Sequence, residues 1–172
     1  MRKAIILMAV GMLAGCAGDV TVRTQPYTLQ AEKSLARVTV NDLRASGAAA
    51  SKRETFGVPM GNIRFDPPEA QMVKGLLESE LTKLLTEQGV QTLRVYACDM
   101  VEFGVTTNAT PLYWDVVGRV QLTLKSGSGE RSLLGTHTER TYVWPGEDLI
   151  RKVVEESLSQ IAAELKTAVP GS

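Results

Sequence analysis

Residue types that commonly build catalytic and metal sites are scarce in this sequence. Its 172 residues include two cysteines, Cys16 and Cys98, and a single histidine, His137. Because Cys16 lies in the amino-terminal segment, Cys98 has no partner for an internal disulfide, and no zinc site of cysteine and histidine is expected. His137 lies in a run of alternating polar residues, which favours a surface position over a place in a Ser–His–Asp triad.

The sequence also lacks an excess of charge of either sign. Lysine and arginine together number 19, as do aspartate and glutamate. No basic patch stands out, which argues against nucleic acid as a partner. No phosphate-loop lysine follows Gly57 and Gly61, and the aspartates lack calcium-loop spacing. We therefore predict no enzymatic activity, no cofactor, no metal and no small-molecule substrate.

Cys98 lies in an alternating stretch, Leu93 to Asp99, and therefore on one face of a predicted strand. A free cysteine in such a place commonly fills a small space in the core. A catalytic thiol is the alternative.

The first fifteen residues have the pattern of a secretory signal. Arg2 and Lys3 precede an apolar run from Ala4 to Leu13. A helix needs roughly 20 apolar residues to span a bilayer, so this run is too short for a membrane span. A charged start, a short apolar stretch and small residues at its end are typical of a cleaved signal, which is excluded from the fold.

Leu13-Ala14-Gly15-Cys16 resembles a bacterial lipobox. The resemblance implies cleavage between Gly15 and Cys16, diacylation of the Cys16 sulfur, and a third acyl chain such as palmitate on the new amino terminus. Stable anchoring takes more than one acyl chain, so this anchor would be permanent. Ala17 stands where lipoproteins retained in the inner membrane of enteric bacteria carry Asp, which implies the outer membrane. An ordinary signal peptide with Cys16 as a bystander is the alternative.

The remaining chain predicts one domain. Residues 1–15 are the signal peptide, 16–34 the lipidated amino terminus and a polar tether, and 35–169 a single periplasmic α/β domain. A short edge strand around Tyr27 and Leu29 is possible within the tether. Residues 36–42 alternate as a half-buried strand does, and Ile63 and Phe65 predict a second short strand. The stretch 45–59 between them has no sustained period and predicts a long loop.

Two amphipathic helices are predicted. The first starts at Asp66-Pro67-Pro68-Glu69, with Asp66 as cap and Pro67 in the first turn, and ends at Gly89. The second runs from about Glu147 to Ala168. The apolar stripes of the two helices are Met72, Val73, Leu76, Leu77, Leu81, Leu84 and Leu85, and Ile150, Val153, Val154, Leu158, Ile161, Ala162 and Leu165.

Between the helices, residues 93–99 predict a strand, 102–110 a polar, turn-rich stretch, and 116–143 a long hairpin with its turn at 126–129. These elements predict an α+β fold. We expect a two-layer sandwich whose mainly antiparallel sheet has about four to five strands, with two helices on one face. The other sheet face carries arginine, threonine and glutamine.

The arrangement after the lipobox resembles the YajG-type bacterial outer-membrane lipoproteins. The resemblance covers the strand from Ala36 to Leu43, the helix from Pro68 to Gly89, the hairpin beginning at Val116, and the helix from Asp148 to Leu165. The strand-then-helix opening is also similar to the amino-terminal domain of TolB, to the lipoprotein PelC and to the activator LpoB. These families imply non-enzymatic cell-envelope proteins, from which no active-site residues carry over.

We therefore predict a non-enzymatic outer-membrane lipoprotein that faces the periplasm, is anchored through Cys16, and binds or scaffolds another envelope protein or itself. The alternative is an accessory or ring-forming subunit of an envelope export, transport or flagellar assembly machine. A partner surface is predicted on the stretch 45–60 together with the polar strand face. Trp144 either packs at the edge of the core or contacts the membrane headgroup zone.

Overall fold

A computed structural model of the chain describes residues 18–25, 27, 34–44, 51–56, 58–127 and 129–168. The predicted signal peptide, Gly15 and Cys16 lie outside these residues. Seven strands and two helices follow one another within the described part, and one hydrophobic core unites them. Their bounds are β1 Val20–Arg23, β2 Ala36–Asp42, β3 Ser51–Thr55, β4 Val58–Asp66, α1 Glu69–Glu87, β5 Arg94–Ala109, β6 Trp114–Ser126, β7 Gly129–Thr141 and α2 Glu147–Ala168.

All seven strands belong to one mixed sheet, so the prediction of a mainly antiparallel sheet of four to five strands is wrong. Six of the strands are arranged in the order β1-β4-β3-β5-β6-β7. The remaining strand, β2, lies outside this order and pairs with β5. The pairs β1–β4, β2–β5 and β3–β5 are parallel, whereas β3–β4, β5–β6 and β6–β7 are antiparallel. Long-range pairing created the parallel half, and such pairing leaves no local signal in the sequence.

The long strand β5 was only partly predicted because it contains a bulge. The register with β6 shifts between Met100 and Glu102. Before the bulge the buried apolar residues are Cys98 and Met100, and after it they are Phe103 and Val105. An extra residue moves the side-chain alternation from even to odd positions. The stretch 102–110, which we expected to be turn-rich, therefore contains the second half of this strand.

The stretch predicted as a long loop, 45–59, contains β3 and the start of β4. Ser51 and Arg53 are buried although both are polar. The Ser51 hydroxyl oxygen accepts a hydrogen bond from the Val105 backbone N–H at 3.0 Å. A strand that buries polar side chains lacks the apolar alternation by which strands are recognised, which explains why the sequence did not predict it.

The predicted tether, 16–34, contains β1, which pairs in parallel with β4 from Val20–Ile63 to Arg23–Asp66. Val22 is fully buried in the core. Farther along, the Tyr27 side chain comes so near α1 that a Cβ added at Gly75 would lie 3.3 Å from the Tyr27 Cβ. The folded unit therefore begins well before residue 35, because this polar segment supplies one central apolar side chain.

The two predicted helices are present, and the buried residues of their apolar stripes all enter the core. The start of α1 differs from the prediction. The Asp66–Pro67 peptide bond is cis, the helix begins at Glu69, and Pro68 is the N-cap residue without a side-chain cap. Asp66 is the last residue of β4 and does not cap the helix.

The helix α2 crosses β6 and β7 at two glycines. A Cβ at Gly135 would lie 2.0 Å from the backbone oxygen of Ser157, and one at Gly118 would lie 2.6 Å from Cγ1 of Val153. No side chain fits between this helix and the sheet at either position. The close approach of α2 to the sheet therefore depends on these two residues.

Side chains of the helices accept hydrogen bonds from the outer N–H groups of the edge strands. The Val38 N–H of β2 donates to Glu78 at 3.0 Å, and the Arg23 N–H of β1 donates to Glu147 at 3.1 Å. On β7, the N–H groups of Leu134 and Thr136 donate to Glu164 and Gln160 at 2.8 and 2.9 Å. Unpaired edge groups are templates for association with another chain, and these acceptors occupy them.

Candidate functional site

Four segments meet at one end of the sheet, which we call the loop end. β3 and β5 run toward this end, whereas β1, β4 and β6 start from it. The loop end therefore comprises the chain preceding β1, the β3–β4 turn at Phe56, the β5–β6 connection 110–113 and the β7–α2 connection 142–146. The opposite end carries the β6–β7 turn and the starts of β2 and β5.

The chain before β1 is held firmly against β4. The Gly18 N–H donates to the Met60 carbonyl at 3.0 Å, and the Arg53 guanidinium donates to the Gly18 carbonyl. Gly61, at φ 140°, allows this approach, because a Cβ there would lie 2.1 Å from the Gly18 oxygen. The Asp19 carboxylate accepts hydrogen bonds from the Asn62 N–H, which contributes most to lowering its pKa. Residues 18 and 19 are thus part of the folded domain.

Trp144, the residue predicted either to pack or to contact a membrane, is only partly exposed. Its ring meets Trp114 edge to face with 6.1 Å between centroids. The Arg53 guanidinium lies 5.3 Å from the Trp144 ring centroid, within the range of a cation–π contact. The Trp144 ring therefore packs against Trp114 and Arg53 at the loop end.

The two residues before Trp144 are much more exposed. Tyr142 and Val143 expose 73% and 71% of their surface. Tyr142 contacts Tyr113 edge to face at 6.4 Å. Phe56, Val58 and Leu112, at the same end of the sheet, are 57–77% exposed. We call the five exposed residues Phe56, Val58, Leu112, Tyr142 and Val143 the apolar rim. Five of the ten exposed large hydrophobic residues of the described chain thus lie at one end of the sheet.

A charged pair borders the apolar rim. The Arg140 guanidinium donates to both carboxylate oxygens of Asp115, at 2.8 and 3.2 Å, and lies 3.7 Å from the Tyr113 ring centroid. The hydrogen bonds from Arg140 lower the pKa of Asp115. Both side chains are therefore ionised at neutral pH, and their opposite charges cancel.

Three buried polar atoms at the loop end have no hydrogen-bond partner among the described residues: Arg53 Nε, Thr55 Oγ1 and Trp114 Nε1. A buried polar group without a partner costs about 1–3 kcal/mol, which an ordered water can offset. The buried polar atoms that lack a hydrogen-bond partner among the described residues are thus concentrated at the loop end.

The other residues singled out in the sequence are separate from the loop end. Cys98 is fully buried, as its interpretation as a core filler predicted, and burial raises the pKa of its thiol to about 12. His137 Nε2 lies 3.1 Å from a carboxylate oxygen of Glu139, which also binds the Lys152 ammonium at 2.7 Å. Within the described ranges, no three histidine, cysteine or acidic residues could hold a metal together. Nor does any described helix have the length and apolar character to cross a membrane.

The sequence did not predict the apolar rim because its members lie singly in turns and loops or, for Val58, at the start of a strand. They share no periodic pattern, and they are up to 87 residues apart, from Phe56 to Val143. Only the pairing of the strands brings them to one end. The remaining signal in the sequence was Trp144, for which core packing and membrane contact were the two predicted alternatives.

Comparisons with known proteins find similarity to solved structures. No protein-family model matches the sequence, and no curated protein matches it. One similar solved structure, an uncharacterized protein, is 14% identical with a TM-score of 0.48, and the match covers 88% of this chain and 97% of that protein. Another, protein XCC0632 from Xanthomonas campestris of the family DUF330, is 13% identical with a TM-score of 0.48, covering 86% and 92%. Neither likeness carries an argument about function.

Proposed function

We propose that the protein is a non-enzymatic lipoprotein, anchored through acylated Cys16 in the bacterial outer membrane and facing the periplasm. There it binds or scaffolds another component of the envelope. One observation carries the proposal: a lipobox-like sequence ends at Cys16, and two residues later Gly18 is already bound to Met60. A signal that joins a folded domain without a spacer suits a protein held at a membrane surface. We also propose that the protein is of the YajG type.

The surroundings of Cys98 and His137 support the non-enzymatic part of the proposal. A nucleophilic thiol must reach its thiolate form, and burial opposes ionisation of Cys98. His137 shares Glu139 with Lys152, so its ring nitrogen faces a carboxylate that a permanent cation already engages. Activity screens on peptidoglycan and ester substrates test this part, and turnover that is lost in Cys98→Ala or His137→Ala would contradict it.

The proposed binding surface is the sheet face opposite the helices. On β6 it carries Arg119, Gln121 and Thr123, and Arg119 pairs with Glu102 at 2.8 Å. The predicted partner surface also included the stretch 45–60. Its residues 51–55 form β3, so deleting the stretch would remove a strand from the sheet rather than a loop. Point replacements on the open face are therefore the better probe.

Mass spectrometry of the protein purified from bacterial membranes tests the anchor. We expect an amino terminus at Cys16 that carries three acyl chains. The matched control is Cys16→Ser, which is expected to carry none and to leave the membrane fraction. A processed chain with a free Cys16 thiol would refute the anchor.

Photo-crosslinking in whole cells tests the binding surface. A crosslinker at Gln121 on the open face is expected to give a discrete adduct with one envelope protein. A crosslinker at Lys74, exposed on α1, is the matched control and is expected to give none. Equal adducts at both positions would contradict the assignment of the face.

A second candidate function is a ring-forming or accessory subunit of an envelope export or transport machine. Val101 and Leu134 favour it, because both are more than 40% exposed outside the loop end. Light scattering of the detergent-solubilised protein separates the candidates. A stable, large oligomer supports the machine subunit, and a monomer excludes the ring.

A further inference from the structure

We infer that the loop end lies flat against the bilayer that carries the Cys16 anchor, with the apolar rim as the contact surface. The inference rests on the proposed acylation of Cys16 and goes beyond it, because an anchor alone sets no orientation. It also replaces Trp144 as the contact residue with its exposed neighbours and with residues from two other loops.

Chain length limits how far the domain can stand from its anchor. Gly18 is bound to Met60, and Cys16 precedes Gly18 by two residues. A fully extended residue spans at most about 3.6 Å, so the Cα atoms of Cys16 and Gly18 are at most about 7 Å apart. The tether of nineteen residues expected over 16–34 would have allowed the domain to leave the membrane, whereas this spacing does not.

The chain is long enough for the anchor to reach the level of the apolar rim. Val58 precedes Met60 by two residues on β4, and each strand residue adds about 3.3 Å, so the rim begins about 7 Å beyond the point that holds Gly18. The two chain steps from Cys16 to Gly18 can cover the same distance in the same direction. A bilayer surface at Cys16 can therefore lie at the level of the rim.

The chemistry of the loop end suits this boundary. Apolar side chains project from the tips, while tyrosines and the Asp115–Arg140 pair lie beside them. Aromatic rings with a polar group are favoured at the headgroup level of a bilayer. Covalent continuity with the acyl chains makes the bilayer, rather than a second copy or another protein, the occupant of this surface.

Site-specific fluorescence on the full, processed protein tests the orientation. Leu112→Cys places a thiol on the rim, and Leu93→Cys places one at the opposite end of β5, on the order of 50 Å away. Both leucines are exposed, so the pair is matched. The native Cys98 is buried with a thiol pKa of about 12 and does not compete for the label. The chains, labelled with nitrobenzoxadiazole, are reconstituted in vesicles of phosphatidylethanolamine and phosphatidylglycerol.

We expect a blue-shifted emission at position 112, with quenching by nitroxide-headgroup lipids several-fold stronger than at position 93. Equal quenching at the two positions would overturn the inference. A blue shift at position 112 without lipid quenching would also overturn it, because a second copy or another protein would then cover the rim. Val143→Cys and Val95→Cys repeat the comparison should one leucine variant fail to fold.

The intact mass of each labelled chain is measured before reconstitution. A chain without acyl groups at Cys16 refutes the proposed function. A fully acylated chain with equal quenching refutes the orientation and leaves the anchor standing. The two failures are therefore distinguishable in one preparation.

Discussion

Replacing Gly135 by alanine tests whether α2 needs a bare backbone on β7. The new Cβ would lie 2.0 Å from the Ser157 backbone oxygen, whereas ordinary contacts begin at about 3.4 Å. The helix must therefore move by about 1.4 Å, since a backbone oxygen cannot rotate away as a side chain can. The hydrogen bonds of Leu134 and Thr136 to this helix, at 2.8 and 2.9 Å, flank the site and would lengthen with the movement.

Overpacking of this kind costs about 1–3 kcal/mol, and we expect the upper end because the obstacle is main chain. For a protein of this size, each kcal/mol lowers Tm by roughly 2–4 °C, so a fall of about 6–12 °C is expected. Urea unfolding followed by circular dichroism measures the free energy directly. Gly118→Ala should cost less, because its nearest obstacles are side-chain atoms of Val153 and Ser157.

Gly104→Ala is the matched control, since this glycine lies in β5 of the same sheet. Its added Cβ would meet only the Ser51 hydroxyl at 3.9 Å. Glycine within a strand is about 0.5–1 kcal/mol less favourable than alanine, so this variant should be unchanged or slightly more stable. If Gly135→Ala and Gly104→Ala unfold at the same urea concentration, the argument for contact between α2 and the sheet is wrong.

The double change Gln160→Ala and Glu164→Ala frees two N–H groups of the β7 edge, so size-exclusion chromatography should show more self-association than in the parent chain or in a Lys166→Ala control, and an unchanged elution would contradict this. The Cys98 thiol, with its pKa raised to about 12, should resist a disulfide-exchange reagent at pH 8 and react fully in urea; rapid reaction of the folded protein would show that the site is open. The hydrogen bond from Arg44 lowers the pKa of Asp42 below the ordinary 3.8, so the Asp42 contribution is present at neutral pH and lost as pH falls through the folded pKa. Asp42→Asn should therefore cost up to about 1 kcal/mol of unfolding free energy at pH 7, and this cost should shrink at pH 3; a cost independent of pH would exclude the charge as its cause.

Both helices were recognisable because a helix is a local structure. The spacing of Leu76, Leu77 and Leu81 reflects a period that is complete within one segment, and the structure buries all three. The helix start was misassigned because Asp66 satisfies the sequence rule for a cap while it also fits the end of a strand. The pairing of β4 with β1 places Asp66 in the strand, and rules based on neighbouring residues cannot predict such a long-range pairing.

The candidate site was less predictable than the fold. The sequence left two alternatives for Trp144, core packing and membrane contact, and its partners Trp114 and Arg53 come from other strands. The exposed residues around it, such as Leu112 and Phe56, lie in turns, where a single apolar residue predicts neither a structure nor a binding surface. Their common position depends on which strands run toward the same end.

The sequence by itself determined the segments whose information is local: the two amphipathic helices and the β6–β7 hairpin with its turn. Tertiary structure alone decided that β1 joins the sheet, that a bulge reverses the alternation within β5, and that three strand pairs are parallel. It thereby also decided that Gly18 and the apolar rim share one end. The physical reason is that strand pairing joins residues far apart in the chain, and its free energy depends on both partners and on the core they enclose together.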